Sequence, residues 1–322
     1  RELSCVLYMP TSGEPLVGDE ALVHAARLDG RLLTGLKARV YQPGPALPID
    51  RVISVAGSEH RLVDLVAAVL RRTLLHAREF SGGDLRGRVI LTHPIAWGDP
   101  EIDLLTAALH RAKGGAPVGF LSEPEAIAYW ATQAYGTDLL ESPIAIFDLG
   151  GSTFDTTVVR LRSDHCDTLV SSSSPYGGDD VDALIIDYIE DLLAARGEAD
   201  FVAQMRREQP WLLSNATRLL KHTLSERRFQ EFQIGPRARL TVTRGDFDEI
   251  VSPLVEEVVT KFRDSVSVVN VAPAAIILSG GSCQIPSLVT AVEAVAEQFG
   301  SRVLFAGSPN DGIGPGQVVA PG

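Results

Sequence analysis

Cysteine is scarce in this sequence, and long apolar runs are absent. The three cysteines, Cys5, Cys166 and Cys283, lie far apart and form no CxxC pair, which indicates neither a disulfide framework nor a zinc site. This usage is typical of a reducing compartment, so we expect a cytoplasmic protein. No apolar run is long enough to cross a bilayer, and no signal peptide precedes Arg1. Because the sequence also begins without methionine, an anchor or targeting segment outside these residues stays open.

Positive charge is also in short supply. Lysine and arginine number 29 against 41 aspartate and glutamate residues, a formal net charge of -12. We therefore expect neither nucleic acid nor an anionic membrane as a general partner, although one local basic pocket for a phosphate is compatible. The seven histidines show no zinc-ligand spacing, and no Ser/His/Asp arrangement can be placed.

The length and composition predict a soluble globular protein with two domains or lobes. The chain has 322 residues, of which 45% are hydrophobic and 22% charged. Strand-like and helix-like segments alternate, so we expect an α/β fold with its sites at the carboxyl ends of strands. The predicted strands are 3–9, 88–94, 118–121, 144–149, 154–159, 170–174, 229–234, 238–242 and 275–279. The predicted helices are 21–27, 62–78, 99–113, one from 123, 181–195, 211–224, 244–269 and 285–299. We expect Asp99 to be the N-cap of the helix at 99–113 and the strand at 88–94 to be buried. A proline-bearing loop is predicted from Pro43 to Pro48, and a polar, irregular seam between the two halves at 135–143.

Residues 144–159 carry the strongest local signal. Both ends of the stretch are apolar and β-branched, as in strands, while the middle holds Asp148, Gly150, Gly151 and two hydroxyl residues. Glycines let successive backbone N–H groups form an anion-binding concavity suited to phosphate, and Asp148 could hold the hydrated Mg²⁺ that accompanies it. The alternative interpretation is an ordinary two-residue Gly-Gly hairpin.

Two further glycine turns stand in comparable places. They are Gly177-Gly178 and Gly280-Gly281, and each follows a predicted strand and has hydroxyl or acidic neighbours. Three such turns in one α/β chain are a stronger indication of a phosphate site than any one alone.

Together with other motifs, these turns resemble the nucleotide-binding domain of the seventy-kilodalton heat-shock chaperone family. The resemblance covers nearly the whole chain in collinear order. It implies the two-lobed, ribonuclease-H-like fold of actin-like ATPases, with a central nucleotide cleft. The motifs that carry it are 147–155, 122–126, 176–182, 221–225, 278–286 and Thr92-His93-Pro94 with Trp97 and Asp99.

The resemblance implies lobe I at residues 1–140 and lobe II at 141–322, with a subdomain at about 179–247. It also implies ATP or ADP with Mg²⁺ as cofactors, and co-chaperone or client proteins as possible partners. Catalytic roles fall on Asp148, which would also orient the metal, on Glu123 and on Lys37. The implied nucleotide contacts are Gly150, Gly151, Ser152, Thr153, Gly177, Gly178, Lys221, Ser225, Gly280, Gly281, Ser282 and Gln284.

The departures from the family pattern concern both phosphates and base. Arg1 to Met9 aligns after the strand-turn-strand that carries the first phosphate loop, which is therefore removed, disordered or absent from the protein. His222 and Gln284 replace the two arginines that stack on adenine, and Arg218 replaces a glutamate. A third glycine of the phosphate loop is replaced by Ser152, and Ile102 stands where the partner of the switch proline is expected.

Three functions fit these observations. The first is a chaperone-like domain that closes its lobes on Mg-nucleotide and hydrolyses ATP weakly. The second is a pseudo-ATPase, an actin-like scaffold that acts through protein contacts. The third, a small-molecule kinase of the same fold, is disfavoured because residues 179–247 resemble the chaperone subdomain and no acceptor-binding insertion is visible.

Overall fold

A computed structural model describes residues 5–25, 31–41, 47–83, 89–112, 118–208, 210–234 and 238–307. The chain divides into two compact units, Arg1–Ser122 and Glu123–Gly322. The lobe boundary expected at residue 140 stays a prediction. No helix among the described residues is long and apolar enough to cross a membrane.

The first unit combines short strands with helices of unequal length. Its strands are β1 (Leu7–Tyr8), β2 (Leu16–Val17), β3 (Leu32–Leu33), β4 (Val52–Val55), β5 (Ser58–Arg61), β6 (Val89–His93) and β7 (Val118–Ser122). Its helices are α1 (Asp19–Ala25), α2 (Leu36–Tyr41), α3 (Leu62–Phe80) and α4 (Asp99–Arg111). Antiparallel pairing gives the order β2-β1-β3 and the hairpin β4-β5, whereas β6 and β7 run parallel.

Helix α3 carries the main apolar face of this unit. Leu62, Leu65 and Val66 recur at helical spacing and are buried, and they share a core with Leu104 and Ala108 of α4. The helix predicted from this periodicity is therefore confirmed, and it extends two residues beyond the predicted end at Arg78.

Two details of the first unit differ from expectation. Gly98, not Asp99, is the N-cap of α4, because the Glu101 carboxylate accepts a hydrogen bond from the Gly98 N–H group (2.9 Å). Strand β6, predicted to be buried, is only half-buried along its whole length. The predicted helix end at Lys113 lies outside the described residues, as do Leu3 and most of the predicted loop from Pro43 to Pro48.

The second unit is built on a mixed sheet with helices on both faces. Its strands are β8 (Pro143–Leu149), β9 (Phe154–Leu161), β10 (Cys166–Ser174), β11 (Phe229–Ile234), β12 (Ala238–Thr243), β13 (Ala275–Ser279) and β14 (Arg302–Phe305). Its helices are α5 (Glu123–Tyr135), α6 (Gly178–Ala195), α7 (Ala199–Glu208), α8 (Pro210–Glu226), α9 (Arg244–Ser267) and α10 (Pro286–Phe299). Short 3-10 helices span Thr137–Leu139 and Gly281–Gln284.

The sheet of the second unit has the order β10-β9-β8-β13-β14. Strand β8 is antiparallel to β9 and parallel to β13, and the register places Ser279 opposite Asp148. The carboxyl ends of β8 and β13 therefore meet at one edge, where an α/β sheet presents its sites. Strands β11 and β12 form a separate hairpin.

Alternation along β8 divides the core into two layers. Phe147 packs on one face with Phe154 and Phe262, at ring centroid distances of 4.6 and 5.1 Å. Ile144 and Ile146 point to the other face, where they share a core with Ile127 of α5. Because both faces are covered, β8 is a nearly continuous apolar run that ends at Asp148 and Leu149.

Several element boundaries in this unit were missed from sequence. Helix α6 begins at Gly178, three residues before the predicted start, and α7 and β14 were not predicted. The segment expected to be an irregular seam, 135–143, contains the 3-10 helix and the fully buried Leu139. Strand β14 has only four residues, none of them fully buried, so sequence periodicity gives little signal for it.

Candidate functional site

The turn between β8 and β9 contains four residues. Strand pairing continues to Leu149 opposite Phe154, so Gly150 to Thr153 lie outside the ladder. The Gly150 N–H group donates to the Thr153 carbonyl (2.9 Å) and closes the turn. This bond leaves Gly151 and Ser152 at the tip of the turn, so the alternative of a two-residue turn formed by Gly150 and Gly151 does not fit the register.

The first residues of α6 donate hydrogen bonds to two carbonyl groups of this turn. The Gly178 N–H group donates to the Gly150 carbonyl (3.0 Å), and the Asp179 N–H group donates to the Gly151 carbonyl (2.7 Å). These are two of the N–H groups that a helix N-terminus leaves without an intrahelical partner. The first residues of α6 are thus held by the loop rather than by their own helix.

This contact determines the direction of two amide groups in the loop. In a trans peptide unit the C=O group of one residue and the N–H group of the next point in opposite directions. No cis peptide bond occurs in the described chain. Because the carbonyls of Gly150 and Gly151 point to α6, the N–H groups of Gly151 and Ser152 point away from it. Successive outward amides of this kind attract an anion.

The turn after β13 reaches the same carbonyl. The buried Ser282 side chain donates from Oγ to the Gly150 carbonyl (3.0 Å). Gly280 has φ +89°, and a Cβ atom there would lie 2.2 Å from the Leu149 carbonyl oxygen. Three glycine turns that are distant in sequence therefore converge on Gly150.

Glycine is required at the contacts between these turns. A Cβ atom on Gly177 would lie 2.5 Å from backbone atoms of Gly151 and Ser152. One on Gly178 would lie 2.8 Å from Ser282 Oγ and 3.0 Å from Lys221 Nζ. At Gly177 a side chain would collide with backbone and separate the turns, whereas at Gly178 it would displace the side chains of Ser282 and Lys221.

Gly151 and Gly281 differ, since both are exposed and no described atom lies within 4 Å of a Cβ atom placed on either. The outer surface of the turns is open at these two positions.

Helix α8 contributes a buried lysine. Lys221 Nζ donates to the Gly178 carbonyl (2.8 Å) and forms an ion pair with Asp182 Oδ1 (2.9 Å). Ser225, predicted to share a ligand-binding face with it, donates its hydroxyl to the Lys221 carbonyl (3.0 Å). Arg218 lies at the edge of this cluster, with Nε 3.9 Å from Asp182 Oδ2.

The predicted catalytic residues fall in both units. Asp148 is half-buried at the end of β8, and its Oδ1 atom is 2.9 Å from the position of a Cβ atom on Gly280. Glu123 is half-buried at the start of α5, and Lys37 is exposed on α2 in the first unit. The structure thus brings Asp148 to the glycine turns, while the catalytic roles of all three residues stay predictions.

Residues predicted to meet the base lie on the exposed side of the second unit. Gln284 ends the 3-10 helix Gly281–Gln284, and His222 follows Lys221 on α8; both are exposed. Next to Gln284, burial raises the pKa of the Cys283 thiol, whose Sγ donates to the Ser279 carbonyl (2.8 Å). Cys283 is therefore part of the packing beneath the turn and not a reactive group.

Sequence reasoning missed the role of Asp182. A signal was available, because Asp182 occupies the buried face of α6 with Val181, Ile185 and Ile189. A carboxylate among apolar positions of an amphipathic helix indicates a buried partner, since charged groups are rarely buried unpaired.

The donor set fits a nucleotide phosphate with its metal ion. The outward amides of Gly151 and Ser152, the hydroxyls of Ser152 and Thr153, and the open space at Gly151 suit a phosphate group. No cluster of three or more metal-ligating residues occurs in the described parts of the chain. Mg²⁺ at Asp148 would therefore be held through phosphate oxygens and water, which is how this ion is commonly bound beside phosphates.

Comparison with known proteins gives a consistent result. The family described as Hsp70 protein matches residues 55–322. The chain is 32% identical over 271 residues to the chaperone protein HscA homolog of Shewanella putrefaciens, covering 81% of this chain and 40% of that protein. It is 32% identical over 313 residues to chaperone protein HscA of Cronobacter sakazakii, covering 92% and 46%, respectively.

The chain therefore belongs to the Hsp70 family. Its α/β architecture is that of the nucleotide-binding domain of this family, which has the actin-like ATPase fold. The chain spans less than half the length of the curated relatives that it matches.

Proposed function

We propose that this chain binds ATP and ADP with Mg²⁺, closes its lobes on the nucleotide and hydrolyses ATP weakly. The observation that carries the proposal is the convergence of the other two glycine turns on loop 150–153, where the bound carbonyls of Gly150 and Gly151 direct the amides of Gly151 and Ser152 outward. Family membership supports a nucleotide as the ligand of this site.

In this proposal, loop 150–153 binds the β- and γ-phosphates through its outward amides and hydroxyls. Asp148 orients Mg²⁺ or its water ligands, and Glu123 positions the attacking water or relays its proton. Lys37 stabilises the transferred phosphoryl group as a point charge. The metal ion itself supplies charge neutralisation at the phosphates.

The nucleoside side is formed by Gly178, by the Gly280–Ser282 turn and by Gln284, with Lys221 and Ser225 toward ribose and base. His222 and Gln284 lack the flat cationic faces of the two arginines they replace. The loss of this stacking weakens binding by about tenfold to a thousandfold relative to a chain that has both arginines. We therefore expect this chain to bind nucleotide weakly, with a higher dissociation constant than a chain that has both arginines.

The second candidate is a pseudo-ATPase scaffold that acts through protein contacts. Arg218 favours it, because a cation stands where the family has a glutamate and lies within 4.0 Å of Asp179. Both candidates are compatible with the co-chaperone or client partners that the family resemblance implies, and with the cytoplasmic location expected from cysteine usage.

A thermal-shift titration separates the two candidates. Mg-ATP and Mg-ADP are titrated against the chain with its full native N-terminus, and the melting temperature is followed. A ligand present at 100 times its dissociation constant stabilises the folded state by about 2.7 kcal/mol, which is readily measured. No shift at millimolar nucleotide would reject the first candidate in favour of the scaffold.

Variants localise the effect. Asp148→Ala and Gly151→Val should abolish the nucleotide-dependent shift. Asp164→Ala is the matched control, because Asp164 is an exposed carboxylate on the β9–β10 turn of the same unit and should leave the shift unchanged. Phosphate release measured on Lys37→Met and Glu123→Gln then tests hydrolysis, with both variants expected to bind nucleotide but turn over more slowly.

A further inference from the structure

The ion pair between Lys221 and Asp182 is buried. The Lys221 side chain is 11% exposed and the Asp182 side chain is 10% exposed, and their charged atoms lie 2.9 Å apart. An ordinary ion pair of the second unit lies at the surface, as Lys261 does with Glu257 on α9, where the side chains are 41% and 49% exposed. The Lys221–Asp182 pair therefore differs from a surface ion pair in being shielded from water.

A buried ion pair is a poor way to stabilise a fold. Removing two charges from water is unfavourable, and apolar residues of similar volume often replace such a pair without loss of stability. The pair in this chain is therefore better explained by what it holds in place than by its contribution to overall stability.

The lysine connects the ion pair to the glycine turns. Lys221 Nζ donates to the carbonyl of Gly178, the first residue of α6, and Asp182 lies one helical turn further along α6. The N–H group of Gly178 in turn donates to the Gly150 carbonyl. A continuous series of contacts thus runs from Asp182 through Lys221 and Gly178 to the loop.

Ser282 closes this arrangement from the other side. A Cβ atom on Gly178 would lie 2.8 Å from Ser282 Oγ and 3.0 Å from Lys221 Nζ, so Gly178 is enclosed between the two side chains. The ammonium group of Lys221 and the hydroxyl of Ser282 thus lie on either side of the first residue of α6.

We propose that Asp182 is a positioning residue for the phosphate-binding loop. It holds Lys221 on the Gly178 carbonyl and thereby keeps the Gly178 and Asp179 amides on the carbonyls of Gly150 and Gly151. The consequence for nucleotide binding rests on the proposed function, whereas the positioning of the turn does not.

Hydrogen exchange tests the positioning directly and without nucleotide. The apolar pair variant Asp182→Leu/Lys221→Met should melt within a few degrees of the unchanged chain. Its Gly178 and Asp179 amides should exchange at least about tenfold faster, while Ile185, further along α6, keeps its protection. Unchanged protection of the two amides would overturn the proposal. A pair variant that does not fold would assign the ion pair to overall stability and would also overturn it.

The single variant Asp182→Asn tests the link to nucleotide, since it keeps Lys221. We expect about tenfold weaker Mg-ADP binding by calorimetry. The unfolding midpoint should change too little for partial unfolding to explain this loss of affinity. With Lys221→Met already present, Asp182→Leu should add no further loss, because both residues act through one contact. Affinity equal to that of the unchanged chain in Asp182→Asn would overturn the positioning role in binding.

Arg206→Met is the control for both measurements. Arg206 of α7 pairs at the surface with Glu190 of α6, the helix that also carries Asp182. Loss of Arg206 should therefore change neither amide exchange at Gly178 nor the affinity for Mg-ADP. If the unchanged chain does not bind Mg-ADP at all, the proposed function fails, and the exchange experiment still decides whether Asp182 positions the turn.

Discussion

Five of the six glycines in the three turns fall into two groups with different surroundings, while Gly150 makes ordinary contacts with Thr153 and belongs to neither group. The inner glycines, Gly177, Gly178 and Gly280, are enclosed, because other parts of the second unit lie within 3 Å of where their Cβ atoms would be. The outer glycines, Gly151 and Gly281, face open space. Glycine therefore allows close packing at the inner positions and leaves an open surface at the outer positions.

The difference separates folding from binding. At Gly177 and Gly280 glycine is required by the protein itself, because a side chain would collide with backbone, and at Gly178 a side chain would displace Lys221 and Ser282. At an outer position nothing in the described chain requires glycine, so any requirement there must come from a ligand. Substitutions at the two groups should thus affect different measurements.

The largest effect is expected for Gly280→Ala. Its positive φ and the 2.2 Å approach to the Leu149 carbonyl together should lower the free energy of unfolding by about 3 kcal/mol or more. Urea denaturation measures the change. Gly281→Ala, the outer neighbour, should stay within about 0.5 kcal/mol of the unchanged chain. Equal stability of the two variants would remove the distinction between inner and outer glycines.

A smaller effect is expected for Gly177→Ala. Its φ of -166° is extended backbone that any residue adopts, so the effect comes from packing against Gly151 and Ser152 alone. We expect a loss of about 1–3 kcal/mol, typical of overpacking, together with weaker Mg-ADP binding. Gly151→Ala, across the same contact, should keep its stability in urea denaturation. A destabilised Gly151→Ala would contradict the open outer surface.

The hydrogen bond from Ser282 to the Gly150 carbonyl should contribute less. Ser282→Ala should lower the free energy of unfolding by about 1 kcal/mol, since Gly150 keeps its bond from Gly178. Ser287→Ala is the matched control, because Ser287 Oγ is buried without a hydrogen-bond partner among the described residues. Its removal should be neutral or stabilising. Equal losses in both variants would show that the Ser282 bond holds nothing in place.

The smallest effect is expected at the outer position Ser152. Ser152→Gly should relax loop 150–153 and improve Mg-ADP affinity by a few-fold, or roughly 0.5–1 kcal/mol, with little change in melting temperature. Calorimetry measures the affinity. If the affinity is unchanged, the loop does not contact phosphate, and the outer glycines lose their proposed purpose.

Sequence patterns predicted the long elements of this chain well. Helix α3 and strand β8 carry strong periodicity or continuous apolar character, and both were found where they were predicted. The N-cap of α4 was misassigned by one residue because Asp99 is a good cap by type, while Glu101 instead bonds to the Gly98 amide. Residue type alone does not show which of two neighbouring residues forms the N-cap.

The sequence identified most residues of the site, but not the contacts between them. Gly150, Gly178 and Ser282 were identified from their motifs, whereas the roles of Lys221 and Asp182 depend on a contact between two helices. Lys221 was expected on a ligand-binding face, and the structure shows its ammonium group engaged by Gly178 and Asp182. Sequence spacing gives the face of one helix, but not what another helix brings to it.

The sequence by itself determined the α/β class, the family and the three glycine turns, because these depend on local composition and on motif order. Only the tertiary structure decided which glycines are enclosed, which carbonyls of the loop are occupied and where Lys221 finds its counter-charge. Those properties depend on contacts such as Lys221 with Gly178 and Ser282 with Gly150, whose partners lie 43 and 132 positions apart. Such contacts exist only once the sheet has fixed its register.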